Sequence, residues 1–368
     1  MTKATPGQPP CGAQTTLRQH LHHPISLPAN FRRNDVLAFH GRDPHAVAER
    51  VTASRLDKGL VWQGAPALLS LSFQDDAVDA ELAVDSDLDA GLGACLGACL
   101  GADVDQPRFA AMVRRMLGLD QDVEGFERAH RHHPELGPVL ARQSGLRVPV
   151  TASPFEALSW AITGQQISVQ AAVAIRRRMI EACGVRHSSG ILCHPQAVQL
   201  LALGEAGLRT AGFTASKART LLSVSEAVHS GTLRLGEGLG GWLGGDQDKG
   251  ENKALRVGPS DIATQLLAVK DIGPWTVSYA LMRGFGWLDG SLHGDVAVRR
   301  ALGALLTPSS ALAKPPSPCS PPSPRFQPLQ PVPSPTVTPQ VAEAWLAPLS
   351  PWRALAAAHL WASLSMAA

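Results

Sequence analysis

The sequence predicts an α+β protein that is mainly α, with an N-terminal antiparallel sheet domain followed by a helical region. Three observations carry this prediction. Between residues 34 and 85, apolar runs broken by turn residues, together with partial apolar–polar alternation, read as strands. From residue 106 onward, apolar residues recur at helical spacing in segment after segment. At 260–284, two short helical stretches flank "KDIG", so the helical region includes two helices joined by a tight hairpin.

Composition is consistent with this class. A chain of 368 residues with 45% hydrophobic content has the length for two or three packed units. No apolar run reaches the roughly 18–20 residues that span a bilayer, so no membrane association is expected. Residues 1–25 lack the continuous apolar stretch of a signal peptide and read as a flexible polar leader. A net charge of +2 neither requires nor excludes an anionic partner, because binding depends on where charges lie. The six cysteines form no CxxC pair, which fits a reducing cytoplasm.

The sheet domain is expected over 26–105. "DPHAVAERVTAS" (43–54) reads as its helix, while "GLVWQGAPALLSLSFQ" (59–74) reads as two strands parted by a Gly-Ala-Pro turn. "AVDAELAVD" (77–85) partly alternates. "GACLGACLGAD" (93–103) has a C-x3-C spacing. Because it arises from a tandem repeat, it reads as a duplicated loop or short apolar turn and not a metal site.

The helical region is expected over 106–307 plus 341–368. "QPRFAAMVRRMLGL" (106–119) opens it, and "HRHH" (130–133) reads as a solvated helix end. "SPFEALSWAITGQQISVQAAVAIRRRMIEACG" (153–184) holds two helices bent at Gly164, with Ser153 as N-cap, Pro154 at the first position and Glu156 as capping-box partner. "ASKARTLLSVSEAVHSG" (215–231) is a further helix ending at Gly231. Two segments read as insertions: the Gly-rich 236–253, and the Pro/Ser-rich 314–340, which is extended, disordered and without a core of its own. Because "VAEAWLAPL" and "SPWRALAAAHLWASL" follow, the Pro-rich stretch interrupts a folded region.

The chemistry concentrates at 260–302. "SDIATQLLAV" is a helix capped by Ser260 or Asp261, and "PWTVSYALMRG" a second with Pro274 first and Gly284 at its end. The unpaired N–H groups of that second helix, with its positive dipole end, form an anion site suited to a DNA phosphate; an ordinary αα-hairpin would look the same. Trp275 and the chain's single tyrosine, Tyr279, are four apart and share a helix face. Asp295 precedes the next helix and reads as its N-cap, a place that also keeps a carboxylate ionised.

"AVKDIGPWTVSYALMRG" followed by "LHGDVAVRRAL" resembles the helix-hairpin-helix DNA glycosylases, in particular the 3-methyladenine-DNA glycosylase II branch. "SPFEALSWAITGQQISVQAA", "LRTAGFTASKARTLLSVSEAV", "SPWRALAAAHLW" and "LAFHGRDPHAVAERV" are similar to further parts of it, so the resemblance spans roughly 26–230, 255–307 and 341–365.

The resemblance implies an enzyme that flips an alkylated base out of double-stranded DNA and cleaves its glycosidic bond. Asp295 matches the essential aspartate, and Trp275, Tyr279 and Trp361 the aromatic pocket, where cation–π attraction favours a damaged purine. Lys270, Ile272, Gly273 and Thr276 match the hairpin that holds the DNA backbone, and Gln166 the residue that wedges into the vacated stack. Backbone carbonyls of Leu267, Val269 and Ile272 match a monovalent-cation site; no other cofactor is implied. Trp275 stands where strand-cleaving relatives carry a lysine, implying no lyase activity, and the C-terminus lacks their four-cysteine iron–sulfur loop.

Two positions depart from the pattern. Asp271 replaces the first hairpin glycine, placing a negative charge near a phosphate, and Gln166 replaces an often apolar residue. Lys217, Arg219, Arg299 and Arg300 are candidates for further DNA contacts or for surface salt bridges, and Asp289 is the alternative acid. A monomer in the bacterial-type cytoplasm, associated with the nucleoid, is expected. Glycosylases for deaminated or oxidised bases and a non-catalytic DNA-structure binder are the alternative functions.

Overall fold

In the computed structural model, residues 17–86, 93–235, 258–307 and 336–366 are described. Five antiparallel strands form one sheet in the order β1-β5-β4-β3-β2, with β1 Leu17–Ser26, β2 Glu49–Val51, β3 Arg55–Trp62, β4 Ala65–Phe73 and β5 Ala77–Ser86. Alternation sets its buried face. Ala67, Leu69, Leu71 and Phe73 of β4 and Val78, Ala80, Leu82 and Val84 of β5 turn inward. Phe109, Val113 and Met116 of helix α2 (Gly93–Met116) pack with them in one apolar cluster, as does Leu37 of α1 (Arg33–His40).

Several expectations are corrected here. The leader is not wholly free: residues 17–25 belong to β1, which pairs with β5 along its whole length. The helix expected at 43–54 is absent; α1 precedes it, and 49–51 pair with β3 instead. The β3–β4 turn is Gln63-Gly64 and not Gly-Ala-Pro, because both turn residues take the positive φ (49° and 89°) that matches hairpin twist, while Ala65 and Pro66 pair with Trp62 and Val61. The GACL repeat lies inside α2, so it is helical and no turn.

The helical region comprises α3 (Val123–His130), α4 (Leu136–Arg142), α5 (Pro154–Gly164), α6 (Val169–Cys183), α7 (Ala197–Ala211), α8 (Ala215–His229), α9 (Pro259–Leu267), α10 (Pro274–Ala280), α11 (Val296–Leu306), α12 (Pro339–Leu346) and α13 (Arg353–Met366). They enclose two apolar cores. One joins α5 to α9 through Leu158, Ile180, Leu221 and Leu266; the other joins α3, α4 and α11 to α13 through Phe126, Leu140, Leu302 and Leu355. Helix α10 belongs to both, giving Val277 to the first and Tyr279 to the second.

His130 and His133 are not simply solvated. Their rings pack against Trp352 and Trp345 at centroid distances of 5.9 and 5.6 Å, although Arg131 and His132 are exposed. The Gly-rich insertion lies outside the described residues, as does the Pro-rich one up to 335; Pro339 and Gln340 open α12.

A buried ion cluster joins the sheet to the helices. Lys58, 0% exposed, donates to Glu49 at 2.6 Å and Glu156 at 2.7 Å, and Arg176 donates to both carboxylates at 2.9 Å. This corrects the capping box at α5. The Ser153 hydroxyl accepts from the Glu156 N–H at 3.2 Å, but the Glu156 carboxylate serves the cluster instead of reaching back.

Candidate active site

The hairpin starts from α9, whose N-cap is Gly258 and not Ser260 or Asp261; Asp261 sits in the first turn and accepts from the Gly258 N–H at 3.1 Å. Asp271 holds φ +67°, the left-handed region that the missing glycine would have supplied and that Asp tolerates better than most residues. Its carboxylate accepts from the Ser216 hydroxyl at 2.5 Å. The Gln165 amide donates to Asp271 O at 3.1 Å and to the Thr276 hydroxyl at 3.0 Å. Lys217 in turn caps the end of α5, donating to Thr163 O at 2.9 Å and Gln165 O at 2.6 Å; burial lowers its pKa. The loop carrying Gln165 and Gln166 is therefore braced to the hairpin through α8.

Helix α10 begins at Pro274 behind Gly273, which has no side chain to cap it. Its first N–H groups therefore keep the capacity to bind an anion. Lys270 is exposed, whereas Ile272 and Thr276 are buried, so Thr276 offers its backbone and not its hydroxyl. The second helix does not end at Gly284. After Ala280 the chain widens into a π-turn (Leu281–Phe285) closed by Gly286 at φ +73°. Gly284 instead lets the backbones meet: a Cβ there would lie 3.0 Å from Pro154 Cα.

Asp295 caps α11 and does more. Its Oδ1 accepts from the Ala297 N–H at 2.8 Å, the Val298 N–H at 2.9 Å and the Trp361 indole at 3.0 Å. Among the described residues its Oδ2 accepts from the Trp275 indole alone, at 2.9 Å. Two backbone donors at a helix N-terminus and two indoles fix the orientation of the carboxylate. Trp275 stacks on Tyr279 with ring centroids 5.3 Å apart, and Tyr279 meets Trp361 at 6.3 Å. Tyr279 is only 7% exposed, so it forms the back of the group while the two tryptophans are half-buried. Asp289 is held by Arg353 at 2.7 and 3.0 Å, a structural ion pair.

Sequence reasoning missed Arg283 and Phe39. Arg283 is buried, donates to Pro149 O at 2.8 Å and lies 4.6 Å from the Phe39 ring centre and 5.7 Å from that of Trp361. Burial pushes its pKa down to about 10, partly opposed by Tyr279. Phe39 comes from α1, over 200 positions upstream of α10, so no local pattern announced it.

Gln166 is exposed at φ +55°, and the apolar Ile167 and Val169 beside it are 38% and 62% exposed. Among the cations considered for DNA, Arg219 pairs with Glu205 at 3.3 Å, Arg299 donates to Val337 O at 3.4 Å, and Arg300 is exposed. Leu267 closes α9, and Val269 and Ile272 lie in the hairpin turn that follows. Val269 O accepts the Ile272 N–H at 3.2 Å and keeps a second lone pair, so the turn is compatible with a cation.

The sheet, the paired short helices and the indole-bound carboxylate define an α+β helix-hairpin-helix protein. Residues 159–311 match the HhH-GPD superfamily of base excision DNA repair proteins. The chain is 25% identical over 174 residues to a DNA-3-methyladenine glycosylase of Bacillus subtilis, covering 46% of this chain and 52% of that one. It is 27% identical over 258 residues to a probable bifunctional transcriptional activator/DNA repair enzyme AlkA of Mycobacterium tuberculosis, covering 69% of this chain and 42% of that one. It thus spans about half the length of these curated relatives.

Among solved structures, the fold is similar to the 3-methyladenine DNA-glycosylase from Archaeoglobus fulgidus, with TM-score 0.62, 16% identity and coverage of 92% and 97%. It is also similar to the Clostridium acetobutylicum 8-oxoguanine glycosylase/lyase, with TM-score 0.59, 12% identity and coverage of 94% and 96%. Over residues 159–311 the chain is related to the HhH-GPD superfamily, and its curated relatives place that kinship with the 3-methyladenine glycosylase II branch.

Proposed function

We propose that this protein is a monofunctional DNA glycosylase that removes alkylated purines of the 3-methyladenine type from double-stranded DNA. The observation that carries the reading is Asp295, whose carboxylate is held by the indoles of Trp275 and Trp361 beside Tyr279. A pure DNA binder has no need to aim an acidic side chain among aromatic rings.

In this mechanism the uncapped start of α10 takes a backbone phosphate, with Lys270 beside it. Ile167, next to Gln166, supplies the apolar surface that fills the vacated stack. The flipped base rests against the half-buried tryptophans, where stacking contributes on the order of 1–3 kcal/mol. The C1′–N bond breaks with its electron pair leaving on the base. Positive charge develops at the sugar, and Oδ2, which has the single donor, faces it as the stabilising anion. Water then adds at C1′ and its proton passes to Oδ2 or solvent. Trp275 offers no amine for a Schiff base, so the strand stays intact. A monovalent cation held by Leu267, Val269 and Ile272 carbonyls would add positive charge beside the bound phosphate.

A second lesion class is favoured by one observation. The Arg283 guanidinium already lies 5.7 Å from the Trp361 ring centre, which offsets that ring's preference for a cationic base and suits a neutral deaminated or oxidised one.

The test is base release from methylated DNA and from duplexes carrying single hypoxanthine, uracil or 8-oxoguanine lesions. Release of 3-methyladenine or 7-methylguanine supports the first reading. Release of neutral lesions alone replaces it with the second, and release from no substrate refutes both.

A further inference from the structure

A cavity of about 540 Å³ lies between the end of β3, helix α2 and the starts of α5 and α7. Its size falls within the roughly 300–1,000 Å³ of small-molecule sites. None of the Asp295 aromatics lines it.

The polar groups on its wall form a defined set. Trp62 Nε1, Arg108 Nε and Arg115 Nε are buried donors with no hydrogen-bond partner among the described residues. Arg115 spends one other N–H on Ala152 O at 2.9 Å. Neither arginine forms an ion pair among the described residues, and burial pushes Arg115 down to about 10. The carboxylate in the described lining, Glu156, is already claimed by Lys58 and Arg176. Leaving buried guanidinium donors unpaired costs free energy that an anion would recover.

His194, 2% exposed, adds the opposite function. The Ser159 hydroxyl donates to Glu156 O at 2.9 Å, so His194 Nε2, 3.3 Å away, must donate to Ser159. Nδ1 is then an unprotonated acceptor, and it too has no partner. Leu60, Met112 and the Trp62 ring give the wall apolar surface, and Gln63, Gln196, Gln199 and His229 line it as well. The cavity therefore combines two arginines without ion pairs among the described residues, a buried imidazole acceptor and apolar surface interspersed with polar side chains.

We propose that this cavity is a second binding site, distinct from the Asp295 centre, for a small anion whose phosphate is attached to a flat, hydrogen-bond-donating ring, of which a nucleoside monophosphate is the model. The phosphate sits on Arg108 and Arg115, the ring lies along Trp62, and an N–H or O–H of the ligand meets His194 Nδ1. The proposal does not depend on which base the protein releases, or on its releasing any.

Isothermal titration calorimetry on the full chain tests it, with adenosine monophosphate, inorganic phosphate and undamaged duplex DNA as probes. The expected result is one adenosine monophosphate per chain, bound at least about tenfold tighter than inorganic phosphate. Arg108→Ala should weaken it by about tenfold or more, with an unchanged melting temperature, since one charge-assisted contact is lost. Trp62→Phe, which keeps a ring and removes the N–H, should weaken it severalfold. The proposal is overturned by no binding at millimolar ligand, by binding indifferent to Arg108→Ala, or by inorganic phosphate binding as tightly. Displacement of the nucleotide by duplex DNA also overturns it, since the phosphate would then be that of DNA.

Discussion

The Trp275 indole donates to Asp295 Oδ2 at 2.9 Å, a bond that joins the start of α10 to the cap of α11 across twenty residues. Because Oδ1 already carries three donors, this single bond decides where the free lone pair of the carboxylate points. The aromatic pocket and the acid are thus one hydrogen-bonded unit.

Asp295→Asn should lower base release by roughly two orders of magnitude or more, the scale for loss of a main electrostatic stabiliser. Asn is as good an N-cap, so the melting temperature should change little. Single-turnover kinetics alongside a thermal melt separates the two effects, and full activity in the variant would refute the role given to Asp295.

Trp275→Phe and Trp361→Phe keep a ring and delete one indole N–H each. Trp275→Phe should be the more damaging, by roughly tenfold in rate, because it removes the one donor on Oδ2, whereas Oδ1 retains two backbone donors without Trp361. Equal losses would show that stacking, not orientation of the carboxylate, governs both.

Asp271→Gly should tighten binding to undamaged duplex DNA by a few-fold to about tenfold at low salt, with the gain shrinking as salt rises. Glycine adopts the required φ without strain, and the loss of the Ser216 contact falls on an exposed pair. Fluorescence anisotropy at two salt concentrations measures both effects. Unchanged affinity would mean that Ser216 already masks the charge.

Acid should destabilise the protein in two stages. Burial holds His194 at about 4 and His359 at about 3, below their usual 6.5, so the unfolded chain binds more protons and stability falls as pH drops from 6.5 towards those values. Burial alone would raise Glu156, but Lys58, with help from His194 and Arg176, brings it to about 2, so its contribution is present above 4.5 and lost as pH falls from 4.5 towards 2. Melting temperatures at pH 7, 5.5, 4 and 2.5 should decline stepwise; a flat profile would contradict the assigned burial.

Glu156→Gln should cost about 3–5 kcal/mol, because it leaves the fully buried Lys58 with one carboxylate fewer. Urea unfolding followed at both tryptophan emission and far-UV circular dichroism reads this. A cost within the error of the measurement would mean Glu49 alone satisfies the cluster.

Much of the frame was legible because local periods encode it. Alternation in β4 and β5 and helical spacing from 106 onward follow from which face is buried, and Gly273-Pro274 marks a helix start through backbone geometry alone. Asp295 was legible as a cap for the same reason. Elements failed where tertiary demands overrode local preference. Glu156 left its capping box for Lys58 in a distant strand, "DPHAVAERVTAS" surrendered three residues to the sheet edge, and Gly284 serves an approach to α5 instead of ending a helix.

By itself, then, the sequence determined the order and type of most elements, the hairpin and the identity of the residues that gather around it. Only the tertiary structure decided that Trp361, sixty-six residues beyond Asp295, shares that carboxylate with Trp275, and that Ser216 answers Asp271. It also brought Arg283 beneath Trp361 and Phe39 across from the sheet domain. The physical reason is that hydrophobic period is a one-dimensional signal, whereas a hydrogen bond is directional. A donor's partner is chosen only when packed helices bring distant side chains within 3 Å.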